Sequence, residues 1–237
     1  MTDALRLYRA LERRGTSPAL TWYSAEGRVE LSGRVAANHL AKIASYLLED
    51  VWIEPGTVAL LDCRAGFKQV LWGLGALLAG AHVAVGQAPS GGLAAVVTDA
   101  PARWAGSTAN GVEVLAVDPA PLAMQWTGES LPPGVRDAAA EAVGASDVLM
   151  DEAAHETSNW QLWGDRDFDP ASDRDSGAGP RASGAAGVRA RLLVAPSPSQ
   201  ALEAAAGTLA SARLVVVEDP EEAERIRIAE KLNEVRH

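Results

Sequence analysis

Short apolar segments alternate with segments of helical periodicity along the first half of the chain. Thr57 to Leu61 is a continuous apolar run, and Phe67 to Ala79 follows it with helical spacing. Three further apolar runs come next, His82 to Val85, Ala94 to Val97 and Val112 to Val117. Strands that are apolar at every position are typical of sheets buried on both faces. The alternation therefore predicts a layered α/β fold, with helices on both faces of a mostly parallel sheet.

Local start and stop signals extend this pattern toward the N-terminus. Met1 to Gly15 interleaves arginines with leucines, which indicates an amphipathic helix rather than a signal peptide. Leu20 to Tyr23 and Val29 to Leu31 flank a Glu26-Gly27 turn and predict a short hairpin. Ser32 is well placed to cap a second helix that runs to Leu47.

Beyond Asp118 the pattern weakens and then returns. Prolines punctuate a linker, and Val135 to Val143 predicts an isolated helix. Arg191 to Ala195 and Leu214 to Val217 are apolar enough to be strands. Between them, Ser197 followed by Pro198 predicts the start of a helix over Ser199 to Ala212. Asp219-Pro220 opens a last helix whose first turn is acidic, as the helix dipole favours.

Residues 151–190 are rich in Asp, Ser, Gly, Ala and Arg and carry almost no aliphatic pattern. A stretch this long without a core pattern predicts a flexible or partly disordered insert. Trp160 and Trp163 are its exceptions, and two interpretations remain open for them, packing onto their own domain or anchoring an interface. With 237 residues, the chain is expected to form a single α/β domain over 1–237, with its core in 16–118 and 189–236.

Charge and cysteine content restrict the partners and the compartment. The chain has 21 basic and 31 acidic residues and a net charge of −10, which argues against nucleic acid or an anionic membrane as a partner. Glycines and a proline interrupt the uncharged stretch from Gln69 to Thr98, so a transmembrane span is not expected. The single cysteine, Cys63, cannot form an internal disulfide. A cytoplasmic location is the expectation.

None of the short motifs in the chain predicts a catalytic, cofactor-binding or metal-binding residue. Gly73 and Gly75 lack the third glycine of a dinucleotide fingerprint, and they are better explained as small residues that let the helix pack closely against its sheet. The acidic run from Asp165 to Pro170 departs from a calcium loop, because proline stands where glycine is required. The Gly/Ser-rich run from Ser176 to Gly187 is interpreted as a linker rather than a phosphate cradle. Cys63 is interpreted as a structural thiol rather than a nucleophile.

Histidine and lysine positions give no site either. The four histidines are scattered without ligand spacing, so no zinc site is expected; they are His39, His82, His155 and His237. The chain has three lysines, Lys42, Lys68 and Lys231, and it contains no P-loop motif.

Several segments together resemble the opening of adenylate-forming enzymes, a superfamily that includes acyl-CoA synthetases, peptide-synthetase adenylation domains and firefly luciferase. Members typically begin with an L-T-Y hairpin, a helix, a G-V-x-P-G-D-x-V-A-L segment and a helix that ends in A-G-A. The matching segments are Ala19 to Tyr23, Ser32 to Leu48, Ile53 to Leu61 and Phe67 to Val85. Arg191 to Val235 resembles a later strand–helix–strand–helix segment. The resemblance implies a truncated N-terminal domain of that superfamily, closest to a short actinobacterial branch.

The same resemblance implies that the family chemistry is missing. The family's phosphate loop, which ends in lysine, should precede Leu192 by a few dozen residues, where this chain has an acidic segment. The family's ribose-binding aspartate and its lysine-bearing C-terminal domain lie beyond the last residue of this sequence. Lys42, Lys68 and Lys231 do not occupy matching positions, and ATP or AMP is implied by resemblance alone.

Three functions are therefore considered. The first is a non-catalytic relative that binds a small molecule or a partner protein. The second is an AMP-forming acyl ligase half that is completed in trans, and the third is a structural homodimer. A homodimer is expected in any case, because strands near the truncation should expose apolar surface.

Overall fold

Two β-sheets enclose a layer of helices. The structure is a computed structural model and describes residues 4–87, 91–149, 162–163 and 190–232. Its helices are α1 (Ala4–Arg14), α2 (Gly33–Glu49), α3 (Phe67–Leu78), α4 (Ala138–Val143), α5 (Pro198–Thr208) and α6 (Ala223–Ala229). Its strands are β1 (Pro18–Ser24), β2 (Gly27–Ser32), β3 (Val58–Asp62), β4 (His82–Val85), β5 (Leu93–Thr98), β6 (Glu113–Ala116), β7 (Val135–Asp137), β8 (Leu162–Trp163), β9 (Ala190–Val194) and β10 (Arg213–Val217). Pro101–Asn110 and Pro220–Glu222 are 3-10 helices.

The four-stranded sheet has the order β2-β1-β10-β9, and the six-stranded sheet has the order β7-β6-β5-β3-β4-β8. Among the described pairings, the β1–β2 hairpin is antiparallel and the others are parallel. The predicted α/β class with mostly parallel pairing is confirmed. The sequence pattern predicted one sheet and did not indicate that the strands are divided between two.

The central strands of the two sheets are buried on both faces, which explains why β3 and β10 are apolar at nearly every position. In β3, Ala59 and Leu61 face the main core with α2 and α3, whereas Val58 and Leu60 belong to a separate cluster on the opposite face. β10 repeats this arrangement: Leu214 and Val216 join the main core, and Val215 packs with Ile226 of α6. The main core therefore lies between the sheets.

Glycines allow the helices of this central layer to approach closely. A Cβ on Gly75 of α3 would lie 2.4 Å from Cγ2 of Ile43 in α2, and a Cβ on Gly73 would lie 2.7 Å from Leu202 of α5. Gly73 also lies close to Leu61 of β3, as predicted for a helix packed on its sheet, whereas the close neighbour of Gly75 is a helix rather than the sheet. Both glycines lie inside α3 and not at a strand–helix turn.

Several local predictions are confirmed. Ser32 caps α2 by accepting a hydrogen bond from the Val35 amide at 3.3 Å. Ser197 and Gln200 form a capping box at the start of α5. That helix ends at Thr208 rather than at the predicted Ala212.

The prediction of an isolated helix over Val135 to Val143 is wrong in its first third. Val135–Asp137 is a strand that pairs in parallel with β6, and the helix α4 starts only at Ala138. Asp137 ends the strand and caps the helix through the Ala140 amide at 3.2 Å. α4 then packs on α2, where Tyr46 donates a hydrogen bond to Glu141 at 2.9 Å.

The predicted insert over residues 151–190 lies outside the described residues, except for the strand Leu162–Trp163 and the first residue of β9. The division of the chain into one domain with this insert stays a prediction. No helix within the described ranges has the length and apolar character to cross a membrane.

Candidate functional site

The carboxyl ends of the parallel strands of both sheets face the N-terminus of α3. Between them lies a cavity of about 130 Å³, which we call the α3 cavity. Its walls come from the β1–β2 hairpin, from the segments that follow β3, β5, β6 and β10, and from the first two turns of α3. Ligands of open α/β sheets bind outside the carboxyl ends of the strands, so this is the expected location of a site.

Aromatic side chains form the apolar part of the cavity wall. Trp22, Phe67 and Trp72 line the cavity, and each is at least nine-tenths buried. The Trp22 indole donates a hydrogen bond to Glu218 at 2.6 Å, and Trp72 packs edge-on against Tyr46 with ring centroids 6.0 Å apart. These contacts hold the two indoles in fixed orientations at the back of the cavity.

Lys68 ties the start of α3 to the loop after β6. Its Nζ donates to the backbone carbonyls of Asp118, Ala120 and Ala123 at 2.8, 2.5 and 2.7 Å. Burial lowers the pKa of Lys68, while the charges of Asp118 and Glu26 act in the opposite direction. All three ammonium protons are directed at the protein's own backbone, so Lys68 acts as a clamp on this loop.

Asp118 organises the same loop from inside. Its carboxylate accepts hydrogen bonds from the Ala120 amide at 2.8 Å and from both the amide and the hydroxyl of Thr127, at 2.9 and 2.5 Å. Burial alone would raise the pKa of Asp118, but the Thr127 and Ala120 hydrogen bonds and the charge of Lys68 outweigh it, so the pKa is lowered. The carboxylate is ionised at neutral pH and connects Ala120 and Thr127 of this loop.

Charged groups in the cavity wall and in the segments beside it contact partners within the protein. Arg64 contacts Glu26 at 3.1 Å, and the Arg64 amide donates to Asp99 at 3.0 Å. At the end of β3, Asp62 accepts a hydrogen bond from the Trp104 indole at 2.6 Å and contacts Arg103 at 3.1 Å. These contacts bind the loops that follow β1, β3 and β5 to one another.

Cys63 lies at the wall of the cavity with its thiol directed at the protein. The thiol donates to the Val97 carbonyl at 3.3 Å. Burial raises the pKa of Cys63, and the nearby carboxylates Asp99 and Asp62 raise it further. A thiol held in the protonated form is a poor nucleophile, in agreement with the structural interpretation of this residue.

Gln69 carries the one buried side-chain acceptor without a partner in the described part of the chain. Its side chain is 3% exposed and lines the α3 cavity. Its Nε2 donates to the Pro198 carbonyl at the start of α5 at 3.3 Å, whereas its Oε1 accepts no hydrogen bond. A buried polar atom left unpaired lowers stability by roughly 1–3 kcal/mol, and such exceptions call for an explanation.

The other residues weighed from the sequence do not gather into a site. Lys42 lies on α2 and donates to the Val143 and Ala145 carbonyls at 2.7 and 2.8 Å, and Lys231 follows α6. His39 lies on α2 and His82 begins β4, while His155 and His237 lie outside the described residues. In the described ranges, no cluster of three His, Cys, Asp or Glu residues could hold a metal ion.

Sequence reasoning did not single out Gln69 and gave Lys68 no role beyond a core helix. The available signal was weak: polar residues at the second and third positions of an otherwise apolar helix that directly follows a buried strand. The partners of both residues lie more than 40 positions away in the chain.

No protein-family model matches the sequence, and no curated protein matches it. Solved structures do match. An acyl-CoA synthetase from Brucella canis superposes with a TM-score of 0.67 at 20% identity, over 98% of this chain and 46% of that chain. The amide bond synthetase McbA from Marinactinospora thermotolerans gives 0.60 at 18% identity, over 96% and 47%.

A third match is the A domain of the carboxylic acid reductase from Segniliparus rugosus, solved with AMP and a co-purified carboxylic acid. It gives a TM-score of 0.64 at 12% identity, over 94% of this chain and 46% of that chain. The chain therefore shares its fold with the matched part of these enzymes. The chain spans about half the length of these structures.

Proposed function

We propose that this chain is a small-molecule-binding protein built on the adenylate-forming fold, and that it does not itself form acyl-adenylates. The observation that carries the proposal is that the basic side chains at the α3 cavity already bind groups of the protein itself. Lys68 directs its three protons at backbone carbonyls, and Arg64 is paired with Glu26. Neither has a free charge for a phosphate group.

Adenylation brings a polyphosphate and a carboxylate together, and the transition state is stabilised by cations or by hydrogen-bond donors placed where negative charge develops. The α3 cavity is lined by more acidic than basic side chains, which does not favour a site for negative charge. Three carboxylates, Glu26, Asp99 and Glu218, line it beside the two engaged basic residues. An aromatic wall combined with polar groups in fixed positions is typical of a binding site for a small molecule.

The test is an assay for pyrophosphate release with Mg-ATP and a panel of aliphatic and aromatic carboxylic acids. We expect no release above the rate without enzyme, while an acyl-CoA synthetase run in parallel shows that the assay works. Release by the wild-type chain above the rate without enzyme would overturn the proposal, and loss of that release in Lys68→Met would show that the lysine serves chemistry. Release that requires an added lysine-bearing domain would replace the proposed binding function with the alternative, a ligase half completed in trans.

A further inference from the structure

Trp52 is a large apolar side chain that the fold holds in solvent. It lies between α2 and β3, and 80% of its surface is exposed. Its neighbours Val51 and Ile53 are buried in the main core. The Ile53 amide also donates to the Leu47 carbonyl of α2 at 2.9 Å. These contacts anchor the backbone on both sides of Trp52 and leave the indole directed away from the core.

The backbone of Trp52 gives no reason for a large side chain at this position. Its φ is +59°, in the left-handed region that favours glycine and that a bulky residue rarely adopts. Glycine occupies the next two left-handed positions in the chain, Gly56 and Gly80. Neither packing nor backbone geometry therefore accounts for the tryptophan. An accessible tryptophan is the kind of residue that anchors protein–protein interfaces.

Three carboxylates flank Trp52 in the chain, and we call them the acidic rim. Glu49, Asp50 and Glu54 are exposed. Each has its Cα at most about 11 Å from that of Trp52, because no more than three peptide units separate them. Within the described ranges, none of the three carboxylates forms an ion pair. Their charges are therefore available to a partner.

The basic side chain that contacts this segment is already bound within the protein. Arg136 donates to the Asp50 carbonyl at 2.7 Å, and its guanidinium contacts Glu141 at 2.6 Å. The same guanidinium lies 4.0 Å from Glu113. Arg136 therefore brings two further carboxylates to the end of α2, and the surface beside Trp52 carries more negative than positive charge.

Charge and chemistry together select the partner. A cation can lie over the face of an exposed indole, and the rim carboxylates can accept hydrogen bonds from a guanidinium or ammonium group. A second copy of this chain is disfavoured, because the chain has a net charge of −10 and would bring the same acidic rim. An anionic membrane or a nucleic acid would meet the same repulsion.

We propose that Trp52 and the acidic rim form a docking surface for a partner protein that presents an arginine or lysine to the indole. The surface lies at the amino end of β3, at the other end of that strand from the α3 cavity. The inference therefore goes beyond the proposed small-molecule binding and does not depend on it.

The test uses a short arginine peptide, acetyl-Gly-Arg-Gly-Arg-Gly-amide, and a matched neutral peptide with citrulline in place of both arginines. Binding is followed at low ionic strength by the backbone amide resonances of residues 49–54. Residues 219–224 serve as an internal control, because they carry four carboxylates and no aromatic residue.

We expect the arginine peptide to bind residues 49–54 with a Kd in the millimolar range. That affinity should be at least about fivefold higher than its affinity for residues 219–224, and at least about fivefold higher than that of the citrulline peptide for residues 49–54. Equal affinity for the two acidic segments would overturn the proposal, because it would show charge attraction alone. Equal affinity of the two peptides would overturn it as well.

The role of the indole is tested with Trp52→Gly, which also fits the left-handed backbone. The matched control is Ile228→Ala, which removes another exposed apolar side chain, on α6. We expect Trp52→Gly to weaken the arginine peptide at least about fivefold and Ile228→Ala to leave its Kd unchanged. Unchanged affinity in Trp52→Gly would refute the proposal. A urea midpoint lower than that of the wild type by more than about 0.5 M would show that Trp52 serves the fold instead.

Sedimentation of the wild type and of Trp52→Gly tests a second copy as the occupant of this surface. We expect the two proteins to have the same mass. A dimer of the wild type that is lost in Trp52→Gly would assign the surface to a second copy and overturn the proposal. Pyrophosphate release tests the proposed function separately, so either idea can fail while the other stands.

Discussion

Replacing Lys68 by methionine tests whether this lysine is a clamp for the loop after β6. The change keeps the length of the side chain and its apolar contacts but removes the three hydrogen bonds to Asp118, Ala120 and Ala123. Hydrogen bonds from a charged group contribute roughly 1.5–3 kcal/mol each, so three would give a gross value of roughly 5–9 kcal/mol.

The net value is much smaller. Burial lowers the pKa of Lys68, which shows that part of the gain is offset by desolvation of the ammonium. The side chain is also partly exposed, and solvent screens contacts of exposed charges. We therefore expect Lys68→Met to lower the free energy of unfolding by about 2 kcal/mol.

Lys42→Met is the matched control, because Lys42 also donates to two backbone carbonyls, those of Val143 and Ala145, but lies on α2 outside the cavity wall. Because it makes two hydrogen bonds rather than three, this clamp should contribute about 1 kcal/mol. Urea unfolding followed by circular dichroism measures both values. Hydrogen exchange then separates the variants: the amides of Ala120 and Thr127, which bond to Asp118, should exchange faster in Lys68→Met alone. Equal losses in the two variants, with unchanged exchange at residues 120–127, would refute the clamp.

Two further predictions concern packing and pH. Gly75→Ala would place a Cβ 2.4 Å from Ile43 and should lower the free energy of unfolding by about 3 kcal/mol. Gly207→Ala, on the exposed side of α5, meets nothing within 4 Å and should raise the free energy of unfolding by about 0.5 kcal/mol. Thermal and urea unfolding would measure both values, and equal effects would contradict the close approach of α2 and α3. Burial, with the charges of Lys42 and Lys68, lowers the pKa of His39 below 6.5, so the unfolded chain takes up a proton first as the pH falls, and stability should decline below pH 6.5 until the folded pKa is passed. His39→Gln should remove this part of the decline in urea unfolding between pH 7 and 5, a range chosen to stay above most carboxyl pKa values; an unchanged slope would show that His39 is not its source.

The elements that the sequence predicted well are those whose signals are local or are repeated at every position. Ser32 and Ser197 each cap a helix, because the serine hydroxyl accepts a hydrogen bond from the backbone amide three residues later. Strands β3, β4, β5 and β6 of the six-stranded sheet are mainly apolar because both of their faces are buried, so an apolar run in the sequence identifies each of them. Such patterns do not reveal how strands are shared between sheets, since β1 pairs with β10, nearly 200 positions later.

Val135–Asp137 shows where local patterns fail. Three residues are too few to display a period, and the alanines that follow favour a helix. The segment is a strand because it pairs in parallel with β6, whose edge is otherwise open. Val135, Arg136 and Asp137 lie opposite Val114, Leu115 and Ala116. That edge is produced by the tertiary fold, and nothing within the segment encodes it.

The candidate site was harder to predict because its partners are backbone groups. Lys68 donates to three backbone carbonyls, and Gln69 donates to the carbonyl of Pro198. Because every residue type has a backbone carbonyl, these partners cannot be recognised from the amino-acid sequence. The location was predictable in general terms, at the carboxyl ends of the strands. The chemistry was not, because whether a lysine is free for a ligand depends on the loop that covers it. In this chain the backbone carbonyls of Asp118, Ala120 and Ala123 accept hydrogen bonds from all three protons of Lys68.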